Sequence, residues 1–444
     1  MSEKIEINED FQQAIHILSN TGDNVFITGK AGTGKTTFLK HYVKHCRKKF
    51  VILAPTGVAA LNAGGETIHS FFKFKTDVTL GKIVKKKLNK NSIYKNIDTI
   101  IIDEVSMLRC DLLDCIDKFL RLNGKISKLP FGGVQIVFVG DLHQLPPVVM
   151  KDEQYLFQGY YDSPYFFSAK SMKECFCHII EFKKVYRQVD SEFINILNSI
   201  RSNHIEDKTI SILNSRVKKN FSKGKLSVLL TTTNKAAEIY NEKFLGQIND
   251  EERLFAAETE DITALSNFPA NEQLKLKVGA QVMMLNNDNR NRWVNGSLGT
   301  IQSIKKDLST DRYIIYVKLQ NGCIEAVEPY KWELFKYQWN EELKQIETES
   351  AGYFSQYPMK LAWAVTIHKS QGKTFDNVMI DLGSYGAFAP GQLYVALSRC
   401  KAIEGISLAR PVKKTDIIVD NKIEKLFEMR ERINYLTDPK YKLL

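Results

Sequence analysis

The sequence predicts an α/β protein in which the strands of a parallel sheet alternate with helices. Short apolar runs at residues 24–28, 50–54, 99–102 and 135–139 are separated by segments of helix length. This alternation is typical of a parallel sheet wound with helices. A glycine-rich loop follows the first run and a pair of carboxylates follows the third. Both features therefore lie where a strand is expected to end.

The loop after the first run fits the phosphate-loop pattern Gly-x4-Gly-Lys-Ser/Thr. Its glycines let the backbone curl, so that successive N–H groups and the N-terminus of the next helix face the phosphates. Lys35 is expected to reach the β and γ oxygens, and the hydroxyl of Thr36 to ligate magnesium. The sequence therefore predicts a nucleoside triphosphate site. The loop reads Gly29-Lys30-Ala31-Gly32-Thr33-Gly34-Lys35-Thr36.

Asp103 and Glu104 directly follow the apolar run that ends at Ile102. An Asp at the carboxyl end of a strand can hold Mg²⁺ through its water shell, and the following Glu can orient and deprotonate the attacking water. A helix N-terminus is the other explanation for an Asp-Glu pair in this position. The phosphate loop upstream favours the catalytic interpretation, which is hydrolysis of the bound nucleotide.

Length and composition are those of a soluble globular protein of roughly three domains. The chain has 444 residues, of which 43% are hydrophobic and 25% charged. No stretch approaches the roughly 18 apolar residues of a membrane span, and the N-terminus lacks the apolar region of a signal peptide. We therefore expect a cytoplasmic protein with no membrane partner. The seven cysteines are scattered and lack Cys-x2-Cys spacing, which favours reduced thiols.

The net charge of +11 favours a polyanionic partner. Much of the excess lies in the segment 73–96, which interrupts the strand–helix alternation and is predicted to be a surface insertion. Either a solvated face or contact with nucleic acid explains such a run. Its clustered lysines are Lys82, Lys85, Lys86, Lys87, Lys90 and Lys95.

Strand patterns at 228–231, 281–284 and 378–381 predict a second α/β unit. Between them, residues 297–357 alternate with period two, turn at Asn321-Gly322 and are rich in Tyr and Trp, as in a small all-β barrel. We therefore expect a first domain at 1–180, with its basic insertion at about 73–96. A second domain is expected at 181–296 and 358–444, with the barrel at 297–357 inserted into it.

Several polar side chains have no local structural explanation. Gln144, in the turn after the run 135–139, can donate to a γ-phosphate and report its loss. Arg187 and Arg399 are candidates for an arginine that neutralises charge on the transferred phosphoryl group. A surface salt bridge is the commoner role for any single arginine.

Three further segments suit contact with nucleic acid. Residues 54–60 and 64–72 offer hydroxyls, small residues and backbone amides, and residues 366–375 are dense in donors. Phe71 or Phe72 could stack on bases. A buried pair of core phenylalanines is the alternative.

Taken in order, these motifs make the chain similar to the PIF (petite integration frequency) family of DNA helicases, within helicase superfamily one. The resemblance spans nearly the whole chain. Residues 181–201 resemble a signature of that family which RecD-like helicases lack, although Tyr186 stands where many members have Phe. The other specific motifs are residues 56–60, 64–71, 140–147, 294–299 and 368–372.

The resemblance implies two RecA-like P-loop domains with a Src-homology-type barrel inserted in the second, and ATP and Mg²⁺ as cofactors. It implies an ATP-dependent helicase that translocates 5′ to 3′ on single-stranded DNA and unwinds duplex or structured DNA. Single-strand/double-strand junctions would be partners, with G-quadruplexes and RNA–DNA hybrids as further family substrates. A bacterial-type protein that works at the nucleoid as a monomer is expected.

The resemblance also assigns individual residues. Gln12 would read adenine, Thr36 and Asp103 would hold the metal, and Gln144, Arg187 and Arg399 would contact the γ-phosphate beside Lys35 and Glu104. The nucleotide-binding residues would be Gln12, Gly29, Ala31, Gly32, Thr33, Gly34, Lys35, Thr36, Thr37 and Gly372. The DNA-binding residues would be Pro55, Thr56, Gly57, His69, Ser70, Phe71, His368, Lys369 and Ser370.

Three alternatives to a helicase share parts of this pattern. A kinase would share the phosphate loop but would not explain Gln144, Arg399 and the DNA-facing segments. A non-catalytic single-strand binder would not need Lys35, Asp103 and Glu104. A translocase that clears proteins from DNA without unwinding it remains open, because no residue separates unwinding from stripping.

Overall fold

The computed structural model describes residues 7–75, 77–149, 159–188, 190–218, 226–260, 270–307, 312–340 and 345–427. The chain forms two compact units. The first comprises Met1–Arg187, Lys336–Glu349 and Val419–Leu444, and the second comprises Gln188–Phe335 and Ser350–Ile418. Each unit contains a parallel sheet, which confirms the predicted α/β class.

The first unit is built on a six-stranded parallel sheet with the strand order β3-β2-β4-β5-β1-β6. All four predicted apolar runs form strands of this sheet. The inner strands are continuous runs of apolar residues that are buried along their length, as expected when both faces of a parallel sheet are covered. The strands are β1 (Asn24–Gly29), β2 (Phe50–Ala54), β3 (Glu66–Thr67), β4 (Thr99–Ile102), β5 (Gln135–Val139) and β6 (Cys177–Phe182).

Helices cover both faces of this sheet. On one face Phe11 and Phe38 pack with Ile27 in one hydrophobic cluster, and on the other Phe119 packs with Phe138 in a second. The helix that carries Phe11 begins where the side chain of Asn8 caps it by accepting from the Phe11 N–H. The helices are Glu9–Asn20, Lys35–His45, Gly57–Ala63, Ile68–Phe72, Ile93–Asn96 and Cys110–Asn123, together with helical residues 421–427.

The lysine-rich segment 73–96 is anchored to the first unit. Ile83 is buried in the core, and Leu80 and Leu88 pack against it. The Lys86 N–H donates to Oδ1 of Asn123 at 2.7 Å, and the Lys118 amine donates to the Leu80 carbonyl at 2.7 Å. The exposed lysines of the segment therefore sit on a backbone that the helix Cys110–Asn123 holds in place.

The second unit contains a four-stranded parallel sheet with the order β18-β7-β19-β20. Ala237, on the helix Asn234–Gly246, packs against Leu229 and Ala364 of the sheet. The strands are β7 (Val228–Thr231), β18 (Ala364–Thr366), β19 (Val378–Asp381) and β20 (Ile406–Leu408), and the helices are Ser191–Arg201, Asp207–Asn214, Asn234–Gly246 and Gln392–Leu397.

The second unit also contains an antiparallel sheet with the order β14-β13-β12-β11-β17. Trp293, Val317 and Tyr357 contribute to its hydrophobic core. The predicted turn at Asn321-Gly322 joins β13 to β14, and Gly322 has a φ of +89° there. The strands of this sheet are β11 (Gln281–Met284), β12 (Leu298–Lys306), β13 (Tyr313–Leu319), β14 (Ile324–Val327) and β17 (Met359–Leu361).

The strand β11 forms where the sequence predicts it but in a different sheet. It pairs antiparallel with β12 and β17, and not with the parallel strands β7 and β19. A short buried apolar run looks the same in either kind of sheet, so the pattern alone does not identify its partners. The remaining strands of the chain are β8 (Arg253–Ala256), β9 (Glu258–Glu260), β10 (Gln273–Leu276), β15 (Tyr330–Asn340) and β16 (Gln345–Gln356).

Residues 419–427 pack in the first unit, although the sequence analysis assigns them to the second domain. Ile423 is buried in the same cluster as Phe138. The amine of Lys422 donates to the Asp162 carbonyl, and the Phe427 ring stacks on His143 with centroids 5.8 Å apart. The first unit is thus completed by residues from the far end of the chain.

Two further predictions concern the whole chain. The described helices include none with the length and hydropathy that a bilayer span requires. All seven cysteines lie in the described residues and carry free thiols.

Candidate nucleotide site and nucleic-acid interface

The predicted nucleotide-binding residues of the first unit meet at the carboxyl ends of adjacent strands. In the sheet order, β4, β5 and β1 are neighbours. Gly29 ends β1, Asp103 follows β4, and the loop that carries Gln144 follows β5. Because parallel strands end at the same edge of a sheet, these three loops lie side by side.

The phosphate loop needs glycine at its first position. An added Cβ on Gly29 would lie 2.6 Å from the Phe182 carbonyl oxygen and 2.7 Å from the Thr33 hydroxyl oxygen. Gly34 has a φ of +82° and immediately precedes the helix Lys35–His45. These constraints give the tight turn that brings backbone N–H groups to the helix N-terminus.

The Lys35 amine folds back on this loop. It donates to the Gly29 carbonyl at 2.6 Å and to the Lys30 carbonyl at 3.0 Å. Its positive charge also acts on the carboxyl of Asp103. Lys35 therefore lies where an ammonium group can reach a phosphate held by the loop.

Tyr186 closes one side of the phosphate loop, a role that sequence analysis missed. Its N–H donates to the Gly32 carbonyl at 2.8 Å, and its ring lies 3.5 Å from the Cβ position of Gly34. The amine of Lys184 lies 5.3 Å from the centre of this ring, which remains 42% exposed. The signal available in the sequence was its position directly before Arg187.

Asp103 and Glu104 have different surroundings. Asp103 is 9% exposed, and burial, reinforced by the charge of Glu104, raises its pKa to about 7. Glu104 is only partly buried and has a φ of +52°, a left-handed conformation that ends the extended backbone of β4. A cation near Asp103 would favour its ionised form, so the residue suits a metal site.

The loop after β5 is internally braced. The Gln144 N–H donates to the Asp141 carbonyl at 3.0 Å, and the His143 N–H donates to Oδ1 of Asp141 at 3.2 Å. Gln144 is 7% exposed. Asp141 therefore holds the backbone of both His143 and Gln144 in this loop.

Other predicted nucleotide residues lie around this edge. Gln12 is exposed on the first helix, four residues after its cap Asn8. Thr36 and Thr37 are exposed in the first turn of the helix that follows the loop, and Arg187 is partly buried.

The predicted DNA-binding residues of the first unit differ in exposure. The hydroxyl of Thr56 accepts from the Ala59 N–H at 3.3 Å, and the hydroxyl of Ser70 donates to Glu66 at 2.9 Å. Burial, together with the charge of Arg109, lowers the pKa of His69. Pro55 and Gly57 are partly exposed.

Phe71 is 4% exposed and packs edge-on against Phe72 and Tyr94. Its ring belongs to the hydrophobic core of the first unit. The alternative of a buried phenylalanine pair therefore describes both Phe71 and Phe72, and neither ring presents a face for base stacking.

In the second unit, the predicted DNA-binding residues follow β18. His368, Lys369 and Ser370 form one helical turn there, with Lys369 exposed and Ser370 fully buried. The Ser370 hydroxyl donates to the Ile367 carbonyl at 2.7 Å. Burial lowers the pKa of His368. Gly372, with a φ of +77°, turns the chain after them.

Arg399 is 1% exposed, with its guanidinium bonded inside the second unit. It donates to the Val395 carbonyl at 2.9 Å and to the Ser398 hydroxyl at 2.8 Å. Further bonds reach the carbonyls of Ser370 and Lys373 at 3.4 and 3.3 Å. Arg399 thus ties the helix Gln392–Leu397 to the turn that carries the predicted DNA contacts.

Comparisons with known proteins identify relatives over most of the chain. The family model for PIF1-like helicase matches residues 5–211, and the model for the DNA helicase Pif1 2B domain matches residues 263–304. ATP-dependent DNA helicase Pif1 of Bdellovibrio bacteriovorus is 31% identical over 96% of this chain and 93% of its own. ATP-dependent DNA helicase PIF1 of Mus musculus is 32% identical over 91% of this chain, which spans 60% of the mouse protein.

A solved structure matches as well. Pif1 from Bacteroides sp, crystallised in complex with ADP-AlF4, has a TM-score of 0.86 and 36% identity. The match covers 96% of this chain and 98% of that one.

Proposed function

The chain belongs to the PIF1-like helicase family, and from this premise we propose that it couples ATP hydrolysis to 5′-to-3′ movement on single-stranded DNA and unwinds duplex DNA. The observation that carries the proposal is the pairing of the Lys35 loop with Asp103 and Glu104 at one edge of a parallel sheet. That arrangement supplies a phosphate cradle, a metal-binding carboxylate and a second carboxylate for water activation.

The chain's own residues would act in sequence on the bound nucleotide. The N–H groups of the loop and the amine of Lys35 hold the phosphates. Lys35 therefore exchanges its hydrogen bonds to the Gly29 and Lys30 carbonyls for hydrogen bonds to phosphate oxygens. Glu104, partly exposed beside the buried Asp103, orients a water and takes its proton. We further propose that Gln12 reads adenine and that Gln144, Arg187 and Arg399 contact the γ-phosphate.

Thr36 and Asp103 would hold Mg²⁺. The fit rests on Asp103, a nearly buried carboxyl. Its raised pKa shows that the surrounding groups do not fully stabilise the negative charge of the carboxylate, which a bound cation would do. When bound, the metal supplies positive charge that offsets the charge of the phosphate oxygens.

DNA is the proposed track. A Bacteroides Pif1 bound to single-stranded DNA is 36% identical, with a TM-score of 0.71 over 97% of this chain and 98% of that one. The net charge of +11 supports the same partner class. The proposed contacts are Pro55, Thr56, Gly57, His69, Ser70, His368 and Lys369, whereas the fully buried Ser370, whose hydroxyl donates to the Ile367 carbonyl, positions the turn that carries two of them.

Single-strand/double-strand junctions, G-quadruplexes and RNA–DNA hybrids are the proposed structured substrates, and action as a monomer at the nucleoid is part of the same proposal. These finer points rest on family membership.

A strand-separation assay tests the function. Partial duplexes with a 5′ or a 3′ single-stranded tail are mixed with the protein, ATP and Mg²⁺, and ATP hydrolysis is followed with and without single strands. We expect stimulated hydrolysis and release of the strand from the 5′-tailed substrate alone. Stimulated hydrolysis without release from either substrate would favour a protein-clearing translocase, and unwinding from the 3′ tail would overturn the proposed direction.

A further inference from the structure

Two lysines of the second unit meet at Met283. Lys360 on β17 pairs with Met283 of β11, and the Lys373 amine lies 3.5 Å from Sδ of the same Met283. Lys369 lies in the turn after β18, shortly before Lys373. Burial, and then the charges of Lys373 and Lys369, lower the pKa of Lys360 to about 7. Among the described residues, no acidic group acts on the Lys360 amine.

Lys373 is the most buried of the three, at 6% exposure. Its amine donates to Oδ1 of Asn295 at 2.8 Å and lies 3.5 Å from Sδ of Met283. Neither partner carries a charge, and burial lowers the pKa of Lys373 to about 8.

Residues 294–299, which sequence analysis singled out without a role, support Lys373. The Asn295 N–H donates to Oδ1 of Asn287 at 2.9 Å, which fixes the backbone that presents the Asn295 side chain. Gly296 has a φ of +96° and lies against the aliphatic part of the Lys373 side chain. A Cβ added to Gly296 would lie 3.7 Å from Cγ of Lys373. This motif therefore places a carbonyl oxygen under the Lys373 amine.

The two outer lysines have no competing partner. Within the described parts of the chain, the amines of Lys360 and Lys369 form no hydrogen bond or ion pair. Lys360 is partly buried and Lys369 is exposed, so the group opens to solvent at Lys369. Gathering ammonium groups in a partly desolvated place is unfavourable without a negative charge to offset it. The arrangement suits an anion that enters from the side of Lys369.

We propose that Lys360, Lys369 and Lys373, the last held by Asn295, form a binding site for a backbone phosphate of single-stranded nucleic acid. The inference rests on the proposed function, because it names the part of the second unit that grips the strand. A phosphodiester carries one negative charge and two free oxygens, which suits several ammonium groups at different depths. The adjacent turn His368–Ser370 then places neighbouring contacts along the same strand.

The test is salt-dependent binding of a fluorescent oligo-dT to the full-length protein at pH 7, for the parent and the variants Lys360→Met and Lys373→Met. Methionine keeps the length of the side chain and removes its charge. We expect roughly tenfold weaker binding for each variant. The slope of log affinity against log salt should fall by about 0.7 for each lost contact.

Two further variants control the result. Lys275→Met removes an exposed lysine on β10 and should leave affinity and slope unchanged. Lys360→Arg keeps the charge and should restore the parental slope. Thermal unfolding checks the fold, and Lys360→Met is expected to melt no lower than the parent because it removes a desolvated charge. Parental affinity and slope in both methionine variants would overturn the proposal.

The pH dependence gives an independent readout. Binding an anion favours protonated amines, so parental affinity should rise as the pH falls from about 9 to about 6.5, in the window set by Lys360 and Lys373. The double variant Lys360→Met/Lys373→Met should show a flatter profile. His368 and Lys369 are present in both proteins, so the comparison isolates the two substituted amines.

The remaining outcomes separate the sources of phosphate and the two proposals. Inorganic phosphate that raises the melting temperature of the parent but not of the two methionine variants, with parental DNA binding in those variants, would assign the site to free phosphate and overturn the nucleic-acid inference. If single strands stimulate ATP hydrolysis by the parent but the methionine variants keep the parental salt slope, the lysine site is refuted and the proposed function is retained. If the variants bind DNA with a reduced salt slope but single strands do not stimulate hydrolysis by the parent, the lysine site is retained and the proposed function is refuted.

Discussion

The backbone N–H of Glu104 donates a 2.9 Å hydrogen bond to Oδ1 of Asp103. This bond joins a nearly buried carboxyl to a partly exposed one at the point where β4 ends. Glu104 adopts a φ of +52°, so the alternation of the strand no longer sets the direction of its side chain. Two neighbouring acids thereby receive different environments, which is the condition for different roles in one reaction.

Glu104→Gln is expected to bind ATP and DNA but to lower the hydrolysis rate by about 10²- to 10⁴-fold, because the amide cannot take a proton from water. Turnover of radiolabelled ATP, with nucleotide binding followed separately by a fluorescent analogue, measures both effects. Glu174→Gln changes an exposed glutamate of the same unit and serves as the control. Parental turnover in Glu104→Gln would refute the role of this residue.

Lys35→Met is expected to abolish detectable hydrolysis and to weaken ATP binding, because the amine that folds onto the loop carbonyls is the one that must reach the phosphates. Lys30→Met, on the same loop, is the matched control and should retain hydrolysis. Isothermal titration with ATP measures the loss. Equal affinities for ATP in the two variants would contradict the assignment of Lys35.

Asp103→Asn is expected to change the pH dependence of stability. The pKa of Asp103 in the folded protein is about 7, above that of an unfolded aspartate, so the folded state binds more protons between about pH 4 and 7. As the pH rises through that window, the Asp103 carboxyl should therefore lower the free energy of unfolding of the parent, by at most about 1.4 kcal/mol per pH unit. The free energy of unfolding of the asparagine variant should not contain this pH-dependent decrease.

Denaturant unfolding at pH 5 and pH 8, without Mg²⁺ or nucleotide, measures this difference. The gain in stability of Asp103→Asn over the parent should be larger at pH 8 than at pH 5. A gain that is equal at both values would show that the Asp103 carboxyl ionises normally.

Arg399→Ala is expected to reduce both hydrolysis and stability. The guanidinium donates to the Val395 and Lys373 carbonyls and to the Ser398 hydroxyl. The Val395 carbonyl keeps the Ser398 hydroxyl as a donor, so the main loss is at the Lys373 carbonyl, and a buried acceptor left without a donor costs about 1–3 kcal/mol. Arg187→Ala, at a partly buried position, should reduce hydrolysis with a smaller loss of stability. Thermal unfolding and ATP turnover of both variants decide the matter. Arg399→Ala with parental stability would show that its buried bonds are not structurally important.

The sheet edge that carries the phosphate loop, Asp103 and Gln144 could largely be predicted from sequence, because it depends on local patterns. The loop at Gly29, the acids after Ile102 and the turn that carries Gln144 each follow an apolar run, and parallel strands bring such ends together. The glycine spacing and the strand runs are enough to locate them.

Other features depend on contacts that no local pattern records. The sheet to which β11 belongs is decided by its pairing partners β12 and β17. The sequence around Phe71 allows base stacking, but in the structure the Phe71 ring is buried and packs edge-on against Tyr94. Tyr186 and the group formed by Lys360 and Lys373 are defined by residues distant in the sequence, so their surroundings could not be read from their neighbours.

Ile423 is buried in the same hydrophobic cluster as Phe138, although the second unit lies between them in the sequence. During synthesis, the residues Met1–Arg187 leave the ribosome well before Ile423, and the residues of the second unit are made between them. The first unit can therefore complete its core only after residues 419–427 have been translated.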